Sequence, residues 1–449
     1  MPKLSVFQTI LLAAFGALAV AGVLIFALVV GGNTGNSIGP ITIWGTLEEG
    51  AFRAVIRQIS ENDDRLTQVT YIQKDEVGYA SELTEALASG TGPDLFLLRQ
   101  DYAVRDAGKV FPIPFDRFPE TQFRNTFIEA ADPYIGSEGI LAIPLLADPL
   151  VLYWNKDMLS TAGYANPPRY WDEVNGMAQK ITKRDDAGQL LKSAVSFGEY
   201  RNVTHAKDIL ATLMLQAGSS ITAKDSTGRL RPALAARAGD RLQAAESALR
   251  FYTEFADSSK VSYSWSRALP ESRAAFAAGD LALYIGYASE KPIIARMNPN
   301  LNFAVGFMPQ VRSTGSEAGS QRAVDVARVY ALATTRSTKN VQGAFTVAST
   351  LAGTDISLAF STVYGIPSAR RDVLTPPGGS LEGEELFRFG SEQDLFNKQA
   401  IISRAWSDPD PDRTNEVFRA MIENVTTGAL RLSEAVQRAN QEMGNILGL

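Results

Sequence analysis

The stretch AIPLLADPLVLYWNKDMLSTAG, residues Ala142–Gly163, begins with an apolar run that is interrupted by one acid, Asp148, and continues with a charged segment. Pro144 and Pro149 disfavour a continuous helix and are compatible with an extended strand whose environment changes part-way along it. The segment that follows, NKDMLSTAG, predicts a short helix that ends at a glycine. A long strand that crosses between two lobes is one architecture that explains this pattern.

Short apolar runs and longer amphipathic segments alternate upstream of this stretch. Strand signals occur in ITIWG, QVTYIQ and DLFLL, and helical spacing occurs in EEGAFRAVIRQISEN and YASELTEALASG. Strands that alternate with helices predict an α/β fold with a largely parallel sheet covered on both faces.

Polar and aromatic side chains follow the first and third of these predicted strands. Ligands of such sheets bind beyond the carboxyl ends of the strands. We therefore expect these side chains to lie at a cleft: Trp44, Thr46, Glu48, Glu49, Arg99 and Asp101. The alternative is structural, with Trp44 in the core and the two glutamates as acids that the macrodipole favours at a helix N-terminus.

The N-terminus contains the uncharged run ILLAAFGALAVAGVLIFALVV, residues 10–30. A bilayer is crossed by about 20 apolar residues, so residues 1–32 are predicted to be an uncleaved membrane anchor. Lys3 weakly favours a cytoplasmic N-terminus with the rest of the chain outside. Residues 33–39 are predicted to be a flexible tether. A cleaved signal peptide is the alternative, although its apolar region is normally about 7–15 residues long.

Composition excludes several function classes. The chain has 43 basic and 49 acidic residues, a net charge of −6, so it lacks the basic surface that nucleic-acid binding requires. It has no cysteine and one histidine, His205, which removes disulfides, thiolate sites and the acylated cysteine of many exported bacterial proteins. No GxxxxGK[ST] or HExxH motif is present, and the GxSxG match at residues 35–39 lies in the predicted tether and not at the strand-to-helix elbow of a hydrolase, so we expect neither a cofactor nor a metal.

Six segments occur in order after residue 40: ITIWGTLEEGAFRAVI, ALASGTGPDLFLL, AIPLLADPLVLYWNKDMLSTAGYANPPRYWDEV, AFAAGDLALYIGYASE, ALATTRSTKNVQGAFTVASTLAG and YGIPSARRDVL. The series resembles the family 1 extracellular solute-binding proteins of ABC importers, the group that includes maltose-binding protein. The resemblance implies a two-lobed periplasmic-binding-protein fold (type II) that holds a ligand between its lobes by hinge closure. The predicted bounds are residues 40–147 and 308–363 for lobe I, and residues 148–307 and 364–449 for lobe II.

The resemblance also implies polar ligand contacts. Asp148 falls where the family crosses between lobes, and there it would accept a hydrogen bond from a sugar hydroxyl. Its structural alternative is a turn before Pro149. Asp101 lies where sugar binders carry a polar contact. A looser role is implied for Arg201 in GEYRNVTHAKDIL, whereas the lone His205 is interpreted as structural.

Aromatic side chains matter because a sugar ring stacks its apolar face on an indole or phenol while its hydroxyls need polar partners. The candidates are Trp44, Trp265, Tyr287 and Trp406. Each could equally be a packing residue, and we expect two or more to contact a ligand. Trp265 lies in a polar loop segment, which is an unusual position for a tryptophan unless something covers it.

The sequence therefore predicts a membrane-tethered, extracellular or periplasmic binding protein, not an enzyme. It would capture a small solute, with a sugar favoured, and deliver it to an ABC permease. One alternative is a tethered sensor that signals to a membrane receptor. Another is a glycoside-acting enzyme, which would need two carboxyl groups about 5–9.5 Å apart, with Asp101 and Asp148 as the pair. An acidic cleft, formed by these two aspartates with Glu48 and Glu49, would disfavour anionic ligands and leave a cationic ligand possible.

Overall fold

The structure is a computed structural model that describes residues 38–61, 66–235, 244–312, 322–374, 381 and 383–449. The predicted anchor and residues 33–37 of the predicted tether lie outside the described residues. Within the described ranges, no helix combines the length and the apolar character that a membrane crossing requires.

The described strands form one ten-stranded sheet and a separate two-stranded hairpin. The main path through the large sheet is β2-β1-β3-β11-β4-β9-β6-β5, with β10 beside β4 and β12 beside β11. The strands are β1 Ile41–Gly45, β2 Val69–Gln73, β3 Leu95–Arg99, β4 Ile143–Asn155, β5 Lys183–Arg184, β6 Leu190–Val195, β7 Thr222–Lys224, β8 Leu230–Pro232, β9 Leu281–Tyr287, β10 Phe303–Gly306, β11 Asp325–Thr334 and β12 Ser403–Arg404. The hairpin is formed by β7 and β8.

Helices cover this sheet. Those of the first half of the chain are α1 Glu49–Ser60, α2 Tyr79–Ser89, α3 Ala103–Asp106, α4 Glu120–Thr126, α5 Lys156–Thr161, α6 Trp171–Ile181 and α7 Ala206–Gln216. Those of the second half are α8 Ala244–Thr253, α9 Ser272–Ala278, α10 Lys291–Met297, α11 Val341–Leu351, α12 Thr354–Tyr364, α13 Arg371–Leu374, α14 Gly383–Leu386, α15 Glu392–Ile402, α16 Pro411–Thr426 and α17 Leu432–Ile446.

The N-terminal β-α-β pattern is confirmed. Strand β1 pairs in parallel with both β2 and β3, and α1 buries Phe52, Val55 and Ile56, which lie at helical spacing. Helix α2 ends at Gly90, whose φ of 72° lies in the left-handed region that glycine adopts readily. The predicted parallel character holds for these strands, whereas β11 and β4 are antiparallel to each other and β11 is antiparallel to β3.

Strand β4 joins the two halves of the sheet, and it is the extended segment that the sequence predicts. Its residues 143–149 pair with β11, and its residues 150–154 pair with β9. Twelve of its thirteen residues are buried, which explains its nearly continuous apolar sequence. The partner strand changes next to the boundary predicted between residues 147 and 148, while the lobe bounds themselves stay a prediction.

The core lies on both sides of this change of partner. One aromatic cluster packs the ring of Phe52 on that of Tyr71, with the ring centroids 4.0 Å apart. In the other cluster, Phe197 contacts Trp171 with centroids 5.7 Å apart, and the indole N–H of Trp171 donates to Gln216 Oε1 at 2.6 Å. Aromatic packing therefore occurs in both halves of the sheet, within one hydrophobic core.

Candidate functional site

A small cavity lies beside the carboxyl ends of β3 and β9 and the first half of β11. Its volume is about 40 Å³. We call this cavity the cleft. Its described lining is Gln100, Asp101, Lys207, Asp208, Ala211, Tyr287, Val326, Ala327, Arg328, Arg404, Ala405, Trp406 and Asp408. Three predicted site residues, Asp101, Tyr287 and Trp406, therefore lie together around one cavity.

Asp101 follows β3 directly and forms a two-point ion pair with Arg99. The Nε and Nη2 atoms of Arg99 donate to the two carboxylate oxygens at 3.0 and 2.5 Å, and Nη1 donates to Glu76 at 2.7 Å. Burial alone would raise the pKa of Asp101, but the adjacent guanidinium lowers it below its ordinary value. Both oxygens of Asp101 are thus already hydrogen-bonded within the protein.

Tyr287 ends β9 and connects an acid with a base. Its hydroxyl donates to Asp208 Oδ2 at 2.8 Å, and the guanidinium carbon of Arg328 lies 4.0 Å from its ring centroid. The Nη2 atom of Arg328 is 3.7 Å from the same Asp208 oxygen, which is too long for a hydrogen bond. The tyrosine therefore presents a ring that is already used as a cation-π partner.

Trp406 lines the cleft next to a buried lysine. The indole stacks on Phe418 with centroids 6.1 Å apart, and Lys207 Nζ lies 5.4 Å from the indole centroid. Lys207 Nζ donates to Asp408 at 2.6 Å and to Thr414 at 2.7 Å. Burial raises the pKa of Asp408 to about 6 despite this lysine.

Asp148 lies near the cleft but does not line it. It pairs in register with Arg328 of β11, only 1% of its surface is exposed, and its Oδ1 accepts from the Ser289 N–H at 3.0 Å. Burial raises the pKa of Asp148 to about 6, although the hydrogen bond from Ser289 acts in the opposite direction. The carboxylate is thus buried and hydrogen-bonded to the backbone. Its contact with a ligand stays a prediction.

The structure corrects the interpretation of Trp265 as a ligand contact. Its side chain is 0% exposed, and its indole N–H donates to Asn202 Oδ1 at 3.1 Å. The polar loop around it folds over the ring, so protein rather than ligand covers this tryptophan. We therefore do not retain it as a ligand contact.

Three other predicted site residues have protein partners outside the cleft lining. Glu48 caps α1 by accepting from the backbone N–H groups of Gly50 and Ala51 at 2.8 and 2.6 Å. Trp44 lies under Lys74, with Nζ 3.8 Å from the ring centroid. The Nε atom of Arg201 donates to Glu423 at 2.9 Å, and its side chain is 71% exposed. Glu48, Trp44 and Arg201 are therefore not brought together with the residues around the cleft.

The expectation of an acidic cleft is wrong for this arrangement. Glu48 is a helix cap, Glu49 pairs with Arg53, and Asp101 pairs with Arg99. Three bases, Lys207, Arg328 and Arg404, line the cleft together with three acids. The lining is thus balanced in formal charge, because cations that were not identified from the sequence lie on β11, β12 and α7.

A second cavity of about 70 Å³ lies on the other side of the Arg99–Asp101 ion pair. It is more aromatic than the cleft. Its polar and aromatic lining comprises Thr46, Glu76, Tyr79, Phe96, Arg99, Tyr102, Arg105, Asp106 and Tyr330. Arg99 lines this second cavity and Asp101 lines the cleft, so their ion pair separates the two spaces.

The sequence contains a weak signal for some of the cleft residues that were not identified from it. Along β11, Arg328 and Tyr330 are the two partly exposed positions, and all the other residues of that strand are buried. A period of two places both side chains on one face, so the charged and phenolic residues within DVARVYALAT could have been identified as facing a cleft. Lys207 and Asp208 gave no such signal, because charged residues at the start of a helix are normally solvated.

The structure does not support Asp101 and Asp148 as the catalytic pair of a glycoside-acting enzyme. Both oxygens of Asp101 are bound by Arg99, and Asp148 is almost fully buried on the backbone of Ser289. Neither carboxylate is available as the acid or base that such chemistry requires.

Comparison with known proteins identifies the family of this chain. Residues 55–381 match the family described as bacterial extracellular solute-binding protein. A relative from Brucella abortus (strain 2308), named as a binding protein, is 30% identical over 101 residues, which make up 22% of this chain and 25% of that protein. The chain thus spans about a quarter of the length of the curated relatives that it matches.

Solved structures with the same fold cover nearly the whole chain. An ABC transporter solute-binding protein from Thermotoga lettingae TMO, bound with α-D-tagatose, is 22% identical with a TM-score of 0.65 and covers 91% of this chain and 100% of its own. A cyclic α-maltosyl-1,6-maltose binding protein from Arthrobacter globiformis is 16% identical with a TM-score of 0.71 and covers 91% and 99%. These likenesses confirm the two-lobed mixed α/β fold.

The matched family consists of extracellular binding proteins and not of enzymes, in agreement with the prediction from the sequence. Since the match extends over more than half of the sequence, the chain belongs to the bacterial extracellular solute-binding proteins.

Proposed function

We propose that this protein captures a small solute, with a sugar favoured, between its lobes and delivers it to an ABC permease. The observation that carries the proposal is the pairing of rings with charged groups around the cleft. Tyr287 and Trp406 supply aromatic surface, and Asp208 and Arg328 supply polar groups beside it. A sugar needs both, because its ring has apolar C–H faces and hydroxyl edges.

The small volume of the cleft supports a closing motion. About 40 Å³ is far below the roughly 300–1,000 Å³ of pockets that hold small ligands, so a sugar could enter only after the walls separate. Arg105 Nη1 donates to Asp412 Oδ2 at 2.9 Å, which links a residue of predicted lobe I to one of predicted lobe II. Such a contact would break on opening and re-form on closure, as in other hinge-bending binding proteins.

Two further observations support a sugar as the ligand and a location outside the cytoplasm. The similarly folded proteins from Thermotoga lettingae and Arthrobacter globiformis bind α-D-tagatose and cyclic α-maltosyl-1,6-maltose. The matched family is extracellular, and the apolar run of residues 10–30 is long enough to hold the binding domain at the outer face of a membrane. We infer a single-pass anchor with the lobes outside or in the periplasm.

The test is thermal unfolding of the detergent-purified full chain with a panel of monosaccharides, oligosaccharides, polyamines and amino acids. A ligand at 100 times its dissociation constant adds about 2.7 kcal/mol to the free energy of unfolding, which raises the melting temperature. A sugar response that Trp406→Ala abolishes, and that Tyr164→Ala outside the cleft leaves intact, is the expected result. A rise in melting temperature with polyamines alone would contradict the proposal that the ligand is a sugar.

The anchor has a separate test. Membranes from cells that express the full chain are expected to retain the protein through a carbonate wash. A chain that begins at residue 38 is expected in the soluble fraction, and equal washing-out of the two forms would contradict the anchor.

A further inference from the structure

The polar groups around the cleft differ in how much of their hydrogen-bonding capacity the protein itself uses. Lys207 Nζ donates to the Asp408 carboxylate, to the Thr414 hydroxyl and to the Pro411 carbonyl, so its three N–H groups are all occupied. Arg404 pairs with Glu129, with Nε 3.2 Å from a carboxylate oxygen. These two cations already have protein partners.

The carboxylates of the cleft are similarly engaged. Both carboxylate oxygens of Asp101 accept hydrogen bonds from Arg99. Those of Asp408 accept from Lys207 and Thr414. Asp208 uses Oδ2 for the Tyr287 hydroxyl. Most of the acceptor capacity of the lining is therefore spent inside the protein, and a bound cation would find few open carboxylate oxygens.

Arg328 differs from the other cations of the cleft. Its side chain is 24% exposed, it lies over the Tyr287 ring, and its closest approach to an acid is the 3.7 Å separation from Asp208. Among the described residues, no hydrogen bond is made by its guanidinium. A guanidinium carries five N–H donors and stays charged in proteins, and Arg328 lines the cleft, so its donors are available to a ligand there.

The backbone that carries Arg328 is held on both sides. Gln100 donates to the carbonyl of Ala327 at 3.1 Å and accepts from the N–H of Val329 at 2.7 Å, so it takes the place of a neighbouring strand. On the other edge Arg328 is in register with Asp148 of β4. The sheet thus fixes the backbone of Arg328, and the Tyr287 ring lies beneath its guanidinium, which together give the preorganisation that a binding group requires.

We propose that Arg328 receives an anionic group of the ligand, so the cleft takes a sugar that carries a carboxylate or a phosphate. This inference rests on the proposed function and narrows its substrate class. The planar fork of a guanidinium matches two oxygens of either anion, which gives paired charge-assisted hydrogen bonds. The remaining oxygen of Asp208, next to this fork, suits a hydroxyl of the same sugar.

The experiment measures dissociation constants of the full chain, by calorimetry, for glucose, glucuronate and glucose 6-phosphate, and for galactose with galacturonate. At least one acidic sugar is expected to bind more tightly than its neutral parent. Arg328→Gln is expected to weaken binding of the acidic sugar by about 10- to 100-fold, a much larger loss of affinity than for the neutral parent. The acid that responds distinguishes a carboxylate ligand from a phosphate ligand.

Two controls make the result specific. Arg438→Gln removes an exposed guanidinium that pairs with Glu442 on α17 and is not part of the cleft lining, and this variant is expected to change no affinity. Arg328→Lys keeps the charge without the fork and is expected to recover part of the lost affinity. Tighter binding of the neutral parents, or equal affinity for both members of each pair, would overturn the inference and leave the sugar-binding function standing. Absence of binding by every sugar would overturn both.

Discussion

The carboxylate of Asp148 accepts a hydrogen bond from the backbone N–H of Ser289 at 3.0 Å. This contact ties the middle of β4 to the turn that follows β9. Close by, the hydroxyl of Tyr153 donates to the carbonyl of Tyr287 at 2.7 Å and so fixes the end of β9. The acid within the apolar run therefore has a structural partner at the point where β4 exchanges one neighbouring strand for another.

Burial of Asp148 predicts a pH-dependent stability. Its pKa is raised from 3.8 to about 6 in the folded protein, so the folded state binds the proton more tightly than the unfolded chain does. The stability from this group is fully present below pH 4 and is lost as the pH rises through 6. Asp148→Asn keeps an oxygen for Ser289 and cannot ionise. At pH 8 we expect it to be more stable than the parent by up to about 3 kcal/mol.

Urea unfolding from pH 4 to pH 8 checks this expectation. The gain should shrink towards zero at the acidic end of the range. A variant that is less stable than the parent at pH 8, or a difference that does not change with pH, would show that the buried carboxylate is not destabilised by its charge.

Glu290 is expected to behave in the opposite way. It accepts from the Tyr284 hydroxyl at 2.6 Å, from the Tyr287 N–H at 3.0 Å and from His205 at 2.5 Å. Burial alone would raise its pKa, but the hydrogen bond and charge of His205, with Tyr284, lower it from 4.5 to about 2. The stability from this group is present above pH 4.5 and is lost as the pH falls towards 2.

Glu290→Gln is therefore expected to cost about 3 kcal/mol at pH 7, with a smaller cost near pH 3. The measurement is again urea unfolding at several pH values. Glu442→Gln removes an exposed acid from an ion pair within α17, and its effect should stay below about 1 kcal/mol. A Glu290→Gln cost as small as that of the surface control would rule out the buried network as a source of stability.

The two candidate tryptophans of the C-terminal half are expected to separate stability from binding. Trp265→Phe leaves a void and loses the bond to Asn202, so we expect a loss of about 2 kcal/mol and an unchanged ligand affinity for the folded protein. Trp406→Phe should instead weaken ligand binding with little loss of stability. Paired melting and binding measurements check both variants, and a reduced affinity in Trp265→Phe would place that residue at the ligand after all.

Local patterns predicted much of the fold, because apolar periodicity and turn residues act over short distances. The bounds of β1 match its sequence signal, and β4 is extended across both of its prolines. The antiparallel pairing of β4 and β11 was not predictable, since residues about 180 positions apart in the sequence meet there through the global topology.

The candidate site was predictable only in part, for the same reason. Asp101, Tyr287 and Trp406 were identified, but the partners that define their chemistry come from distant elements, as with Arg328 over Tyr287. The prediction that Trp265 contacts a ligand was wrong, because a polar sequence around a tryptophan cannot reveal that the chain folds over it. His205 was interpreted as structural, and its hydrogen bond to Glu290 is compatible with that role.

A covalent link between Arg105 and Asp412 tests whether the cleft must open. These side chains meet at 2.9 Å, and the pair alone is worth little because Asp412 is 69% exposed. The natural chain has no cysteine, so Arg105→Cys with Asp412→Cys gives two unique thiols that a short bis-maleimide can join. Because the cleft holds only about 40 Å³ in this closed form, the linked protein should exclude a sugar added afterwards. A sugar added beforehand, around which the walls close less far, should be retained.

The measurement is equilibrium dialysis with the radiolabelled sugar that raises the melting temperature most. Arg438→Cys with Glu442→Cys, linked within α17, is the matched control and should bind and release the sugar as the parent does. Free exchange of sugar in the Arg105–Asp412 linked protein would mean that the ligand enters without separation of the two lobes. Trapping would instead make this contact a part of the closed, ligand-holding state, because a link at one point of the rim would then control access to the whole cleft.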